Sequence, residues 1–242
     1  MPQRPADYDS HEPTAALCHI PIENVDEPLV DFLKLSDRIR QDRGRFDYRR
    51  ETLLRAGVAE RLVRAAERLP RGYVFTVVEG WRPPFIQGRM FRATWNRLAE
   101  RYPALDEMAL RAMAERYTAP MDESVPPPHT TGAAFDLWLL KDDAPVDLIS
   151  PFEPFDDEGF AFDAPGITDE ARRNRDLMAA AFEGTGITNY ASEYWHWSYG
   201  DQGWAYRGGH PAALYGPIEP VGWSPDPNDD VDAPLELLPE PE

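Results

Sequence analysis

PPPHTTGAAFDLWLL, residues 126–140, is the stretch that decides how this chain is built. Three consecutive prolines exclude a helix interior and force an extended, stiff approach to His129. Gly132 then lets the backbone turn. Phe135 to Leu140 reads as a buried strand, an apolar run of strand length bounded by turn residues. The segment therefore presents an imidazole, His129, just ahead of a strand that carries a carboxylate, Asp136, and the two side chains can converge on one point.

Working towards the N-terminus, Tyr73 to Val78 is a β-branched and aromatic run that reads as a second strand. It delivers Glu79-Gly80-Trp81-Arg82-Pro83-Pro84 to a turn. Before it, Leu54, Val58, Leu62, Ala66 and Leu69 recur at helical spacing, which predicts an amphipathic helix over Glu51 to Leu69, stopped by Pro70, Arg71 and Gly72. Phe85 to Tyr102 and Leu105 to Tyr117 read as helices separated at Pro103. On the C-terminal side, Thr168 reads as the N-cap of a helix running through Asp169, Glu170, Leu177 and Phe182 to Gly184 and Gly186. Tyr194 to Tyr199 and Trp204 to Arg207 read as aromatic strands that close the domain. No internal repeat is visible.

These elements predict an α+β fold of one domain over residues 46–210. Residues 1–45 read as an N-terminal extension, and residues 211–242 as an acidic, Pro-rich tail, a solvated extension without a core face. With 242 residues the chain can bury one full-sized core. The formal net charge of −18 argues against a protein that neutralises a phosphate backbone, so nucleic acid is not an expected partner. No apolar run is long enough to span a bilayer or to serve as a signal peptide, which predicts a cytoplasmic protein without a membrane partner. Cys18 is the only cysteine. It reads as a buried, unreactive thiol, and a metal must then be held by His and carboxylate. Oligomeric state is not legible.

Five histidines are present, and two stand beside carboxylates: His129 with Asp136, and His196 in Glu193-Tyr-Trp-His196, which is wrapped by Tyr190, Tyr194, Trp195, Trp197 and Tyr199. In a flat strand Glu193 and His196 would face opposite ways, so both reach one site only if a turn or bulge intervenes. Together the segments supply two imidazoles, one carboxylate ligand and a spare carboxylate. That set suits a catalytic zinc site with an open position for water, the spare carboxylate accepting the proton. Spacing alone leaves a second reading open, in which these histidines pack or cap. Arg82 also has two readings, a surface ion pair or a fixed cation at a developing oxyanion.

Glu79-Gly-Trp-Arg-Pro-Pro84, His129-Thr-Thr-Gly-Ala-Ala-Phe-Asp136 and Glu193-Tyr-Trp-His196 resemble, in order and spacing, the D-alanyl-D-alanine dipeptidases related to the vancomycin-resistance dipeptidase, and the wider group of D,D- and L,D-carboxypeptidases. The resemblance runs from about Phe46 to Arg207. It implies a central antiparallel sheet flanked by helices, the D-Ala-D-Ala peptidase and hedgehog-like zinc peptidase fold. It further implies one zinc ion bound by His129, Asp136 and His196, Glu193 as general base, and Arg82 at the tetrahedral intermediate. Asp156 of Phe155-Asp156 would hold the substrate amino group, and Glu79 and Trp81 would line the substrate site. The implied activity is hydrolysis of D-Ala-D-Ala or a similar small dipeptide or amide. Cell-wall carboxypeptidase or small-molecule amidase action on the same scaffold is the alternative, with a non-catalytic metal-retaining binding protein as the reading from another class. Three positions depart from the family: Pro127 stands where a Ser is usual, Glu79 replaces Asp, and Trp81 replaces Tyr.

Overall fold

The structure is a computed structural model and describes residues 12–44, 46–115, 117–153, 157–226, 233 and 235–236. In chain order the elements are α1 (Thr14–Leu17), β1 (Leu29–Asp31), β2 (Ile39–Gln41), β3 (Leu53–Arg55), α2 (Ala56–Arg68), β4 (Tyr73–Glu79), α3 (Pro84–Arg101) and α4 (Glu107–Glu115). There follow β5 (Ala134–Lys141), β6 (Ala144–Pro145), α5 (Asp169–Phe182), β7 (Thr188–Asn189), β8 (His196–Ser198) and α6 (Gln202–Gly208). The main sheet runs β2-β4-β5-β8-β7, with β6 paired to β5, and β1 and β3 form a separate ribbon. The class is α+β. No described helix is long and apolar enough to cross a membrane.

The sheet has one face for the core and one for the site. On β5, Phe135, Leu137 and Leu139 alternate with Asp136, Trp138 and Leu140, the period of a strand with two different environments. Phe135, Leu137 and Leu139 join Phe75 and Val77 of β4 and Trp197 of β8 in the core. Against them lie α2, through Val58, Leu62, Ala65 and Ala66, and α5, through Met178, Ala181 and Phe182. Phe182 is the hub, stacked on Phe75 at 5.2 Å and on Trp197 at 4.4 Å between ring centroids. Thr168 caps α5, its hydroxyl accepting from the Ala171 amide at 3.1 Å.

Several expectations need correction. The sheet is mixed, because β2 pairs parallel to β4. That strand, and β1, come from the stretch read as an extension; three residues each are too few to show a period. The helix expected from Glu51 starts at Ala56, and Leu53–Arg55 forms β3, paired to β1. Trp204 to Arg207 is helical rather than extended: Asp201 caps α6 by accepting from the Trp204 amide, and Gly209 ends it in the left-handed region at φ 63°. Those flanking caps outweigh the aromatic composition. Cys18 is exposed, its thiol donating to Ala15 O.

The tail is not wholly solvated either. Leu235 is buried with Phe46, Ile86, Met90 and Ala93, and Ile218 and Trp223 dock on the Trp81 turn.

Candidate metal centre and active site

Strand register builds the centre. Asp136 on β5 lies directly opposite His196 on β8, one step from the core pair Phe135 and Trp197. Cross-strand partners share a face, so placing Phe135 and Trp197 in the core places Asp136 and His196 on the opposite side. The third strand joins the row through a bulge. Val77 pairs with Leu137, yet the next residue to pair is Glu79, with Asp136. One extra residue in β4 turns Glu79 onto the face of Asp136 and His196.

His129 reaches the row from a one-turn 3-10 segment, Pro128–Thr131, rather than from the fully extended approach expected; Pro128 occupies its first position, where a missing N–H costs nothing. Gly132 follows at φ 70° and directs the chain into β5. The His129 Nδ1–H donates to Gly80 O at 3.0 Å, which leaves Nε2 as the ring nitrogen with a free lone pair. Nε2 stands 3.4 Å from Asp136 Oδ2, and His196 Nδ1 stands 3.0 Å from Asp136 Oδ1. The three donor atoms lie within 4.8 Å of one another. Ligands about 2.0–2.2 Å from a tetrahedral zinc sit roughly 3.4 Å apart. The donor set therefore fits the ion by chemistry and by spacing, and among the described residues it is the one group of its kind. Burial would raise the Asp136 carboxyl, but the His129 and His196 imidazoles beside it hold it far below the usual carboxylate range.

The turn that convergence of Glu193 and His196 requires is present. The Glu193 amide donates to Tyr190 O and the His196 amide to Glu193 O, so two successive turns precede β8. Asn189 pins them, its side-chain amide donating to Glu193 O and His196 O at 2.9 Å each. Burial pushes the Glu193 carboxyl up to about 7, with His196 and Arg82 opposing and Asp136 adding to the shift.

Arg82 is buried, at 8% exposure, and held on two sides. Its Nε and Nη2 donate to Glu79 Oε2 at 3.3 Å, and its Nη1 donates to Gln87 Oε1 at 2.6 Å. Tyr48 also donates to Glu79 Oε2. Burial pushes Glu79 up to about 7 against the pull of the Arg82 cation, and its Oε1 has no hydrogen-bond partner among the described residues. A surface ion pair is thereby excluded for Arg82.

Trp81 differs from expectation. Its ring has no exposed surface, and its indole N–H is committed to Thr130 O and Ile218 O. It supports the turn from beneath and offers no face to a substrate. Asp156 lies outside the described residues. Sequence reasoning missed Tyr48, Gln87 and Asn189. Gln87, five residues after Arg82 on the first turn of a helix, carried a spacing signal; the other two carried none.

The family model described as D-ala-D-ala dipeptidase matches residues 40–213. The chain belongs to that peptidase family. A D-alanyl-D-alanine dipeptidase of Synechocystis sp. is 29% identical over 200 residues, which cover 69% of this chain and 79% of its own. Among solved structures, that of the LdcB LD-carboxypeptidase, described as revealing the basis of peptidoglycan recognition, is similar at 17% identity and a TM-score of 0.37, over 78% of this chain and 76% of its own. The family match starts within β2 and ends after α6, so it contains each of the three motifs that build the centre.

Proposed function

We propose that this member of the dipeptidase family hydrolyses D-Ala-D-Ala or a similar small dipeptide, with one zinc ion held by His129 Nε2, Asp136 and His196 Nδ1. The carrying observation is the row of side chains across three strands, in which Asp136 and His196 are cross-strand partners and His129 Nε2 closes the donor set. Zinc bound there would supply Lewis acidity and bring the pKa of its water towards about 7.

Glu193 accepts a proton from the attacking water as its oxygen adds to the scissile carbonyl carbon. A carboxylate beside the water, able to take up and release that proton, suits the exchange. It returns the proton to the amide nitrogen as the C–N bond breaks, so the products are an acid and an amine and no covalent enzyme intermediate forms. Arg82 faces the negative charge that develops on the carbonyl oxygen. Glu79 and Gln87 already fix its guanidinium, so little reorganisation is needed as the charge appears.

The test is turnover of a dipeptide panel of both chiralities, D-Ala-D-Ala included, by zinc-quantified protein beside Glu193→Gln. The expected result is cleavage of D-Ala-D-Ala that falls by about 10²–10⁴-fold in the variant with zinc content unchanged. Zinc-replete protein that cleaves no dipeptide, or a variant as fast as the parent, would reject the reading.

A further inference from the structure

Residues 216–224 lie beyond the stretch matched by the family, yet several of their contacts fall on Trp81, Phe85 and Thr130, close in the chain to Arg82 and His129. Arg55, buried beneath the metal-side loop, donates to Thr131 O and Gly216 O at 2.9 Å each, and so starts the segment beside that loop. The Ile218 amide donates to Thr130 O at 3.1 Å, and Ile218 O accepts from the Trp81 indole at 2.8 Å. Trp81 thus bridges two backbones: its indole meets Thr130, the neighbour of His129, and the segment's Ile218.

Trp223 closes the arrangement. It meets Trp81 edge-on at 5.1 Å and lies 6.0 Å from Phe85, while its own indole donates to Glu51 Oε1 at 2.9 Å. Arg49 donates to Ser224 O. A second contact lies on the same helix: Leu235 packs on Ile86 and Met90, and Arg89 Nε donates to Ala233 O at 2.8 Å. Those residues flank Gln87, which grips Arg82.

We propose that residues 216–224 form a strap that sets the orientation of the Arg82 guanidinium, with Trp223 as its positioning residue acting through Trp81. The inference rests on Arg82 serving the developing oxyanion. Trp81 and Arg82 are consecutive, and the Arg82 amide is bonded to His129 O at 3.1 Å. Freedom in the Trp81 ring therefore passes to the neighbouring cation. A misplacement of about 1 Å at such a group costs up to 10²-fold in rate.

The experiment compares zinc-loaded full-length protein with Trp223→Ala, Trp223→Phe, Arg82→Ala and the Arg82→Ala/Trp223→Ala double variant, reading kcat and KM on D-Ala-D-Ala. Loss of the strap lowers kcat about 10-fold or more with KM within about twofold, as expected for a contact made only in the transition state. Trp223→Phe restores most of the rate, and Trp223→Ala costs nothing further once Arg82 is gone. Equal losses in both backgrounds, or an unchanged kcat, overturn the proposal.

Hydrogen exchange at the Trp81 indole, read by NMR on the same zinc-loaded proteins, does not depend on activity. It accelerates at least about 10-fold in Trp223→Ala if the strap holds that ring. An inactive parent protein sinks the dipeptidase reading, and the indole exchange then decides the strap alone: unchanged exchange overturns it.

Discussion

Arg175 shows how one residue remote from the metal donors shapes the site. It sits on α5 with no exposed surface, its guanidinium over the Tyr194 ring at 4.1 Å, and burial lowers its pKa to about 10. Its guanidinium donates four hydrogen bonds, to Leu148 O, Gly159 O, Ala161 O and Phe162 O, so one cation organises the loop between β6 and α5. That loop is bonded in turn to the segment bearing Glu193, through Tyr194 N to Phe160 O and Phe162 N to Ala191 O. Arg175→Met retains bulk and removes every donor; Ala161 O and Phe162 O keep bonds from the Ala164 amide and Arg172, but Leu148 O and Gly159 O lose theirs in a buried place. A loss of about 2 kcal/mol or more is expected, read as a lower urea midpoint at constant m. A variant with the parent's midpoint would show that water replaces the cation at no cost.

At the scale of elements, the entry to β5 decides whether His129 and Asp136 meet. Gly132 lies at φ 70°, and a Cβ there would come within 2.5 Å of Leu29 Cδ2 and crowd Arg55. Gly132→Ala therefore combines left-handed strain with a clash against β1, a cost of roughly 1–3 kcal/mol. Because the turn separates two of the donors, zinc affinity is expected to fall about 10-fold or more, as when a supporting contact of a ligand is lost. Competition with a chelator measures it; stability lost with affinity retained would show the turn to be dispensable to the centre. The bulge in β4 belongs to the same scale. Two apolar runs in the sequence foretold both strands, but nothing local marks the extra residue that swings Glu79 onto the site face.

For the whole molecule, the donors come from the loop before β5, from β5 itself and from β8, so a bound ion ties separate parts of the chain together. An ion that binds only the folded state raises stability by mass action. At a free zinc concentration 100 times Kd the gain is about 2.7 kcal/mol, or roughly 5–10 °C in Tm for a protein of this size. Scanning calorimetry should show that shift in the parent and in Glu193→Gln, and no shift in His129→Ala. A shift that survives in His129→Ala would move the metal elsewhere.

What the sequence determined by itself is what short-range chemistry controls. Proline and glycine around His129, the Thr168 cap and the period of the apolar residues act within a few positions, and they sufficed for the two long central strands, the helix from Thr168 and the ordered motifs of the family. Only the tertiary structure decided what depends on register and on contacts between distant segments. The parallel β2, the strap over Trp81 and the Tyr48 contact to Glu79 all join segments far apart in the chain, whereas the Gln87 contact to Arg82 and the pinning of Glu193 by Asn189 span only a few residues and depend on the turns that bring them round. The helix at Trp204 to Arg207 has a different cause: its composition is that of a strand, but the local caps Asp201 and Gly209, with the packing of Trp204 against Tyr199, hold it as a helix.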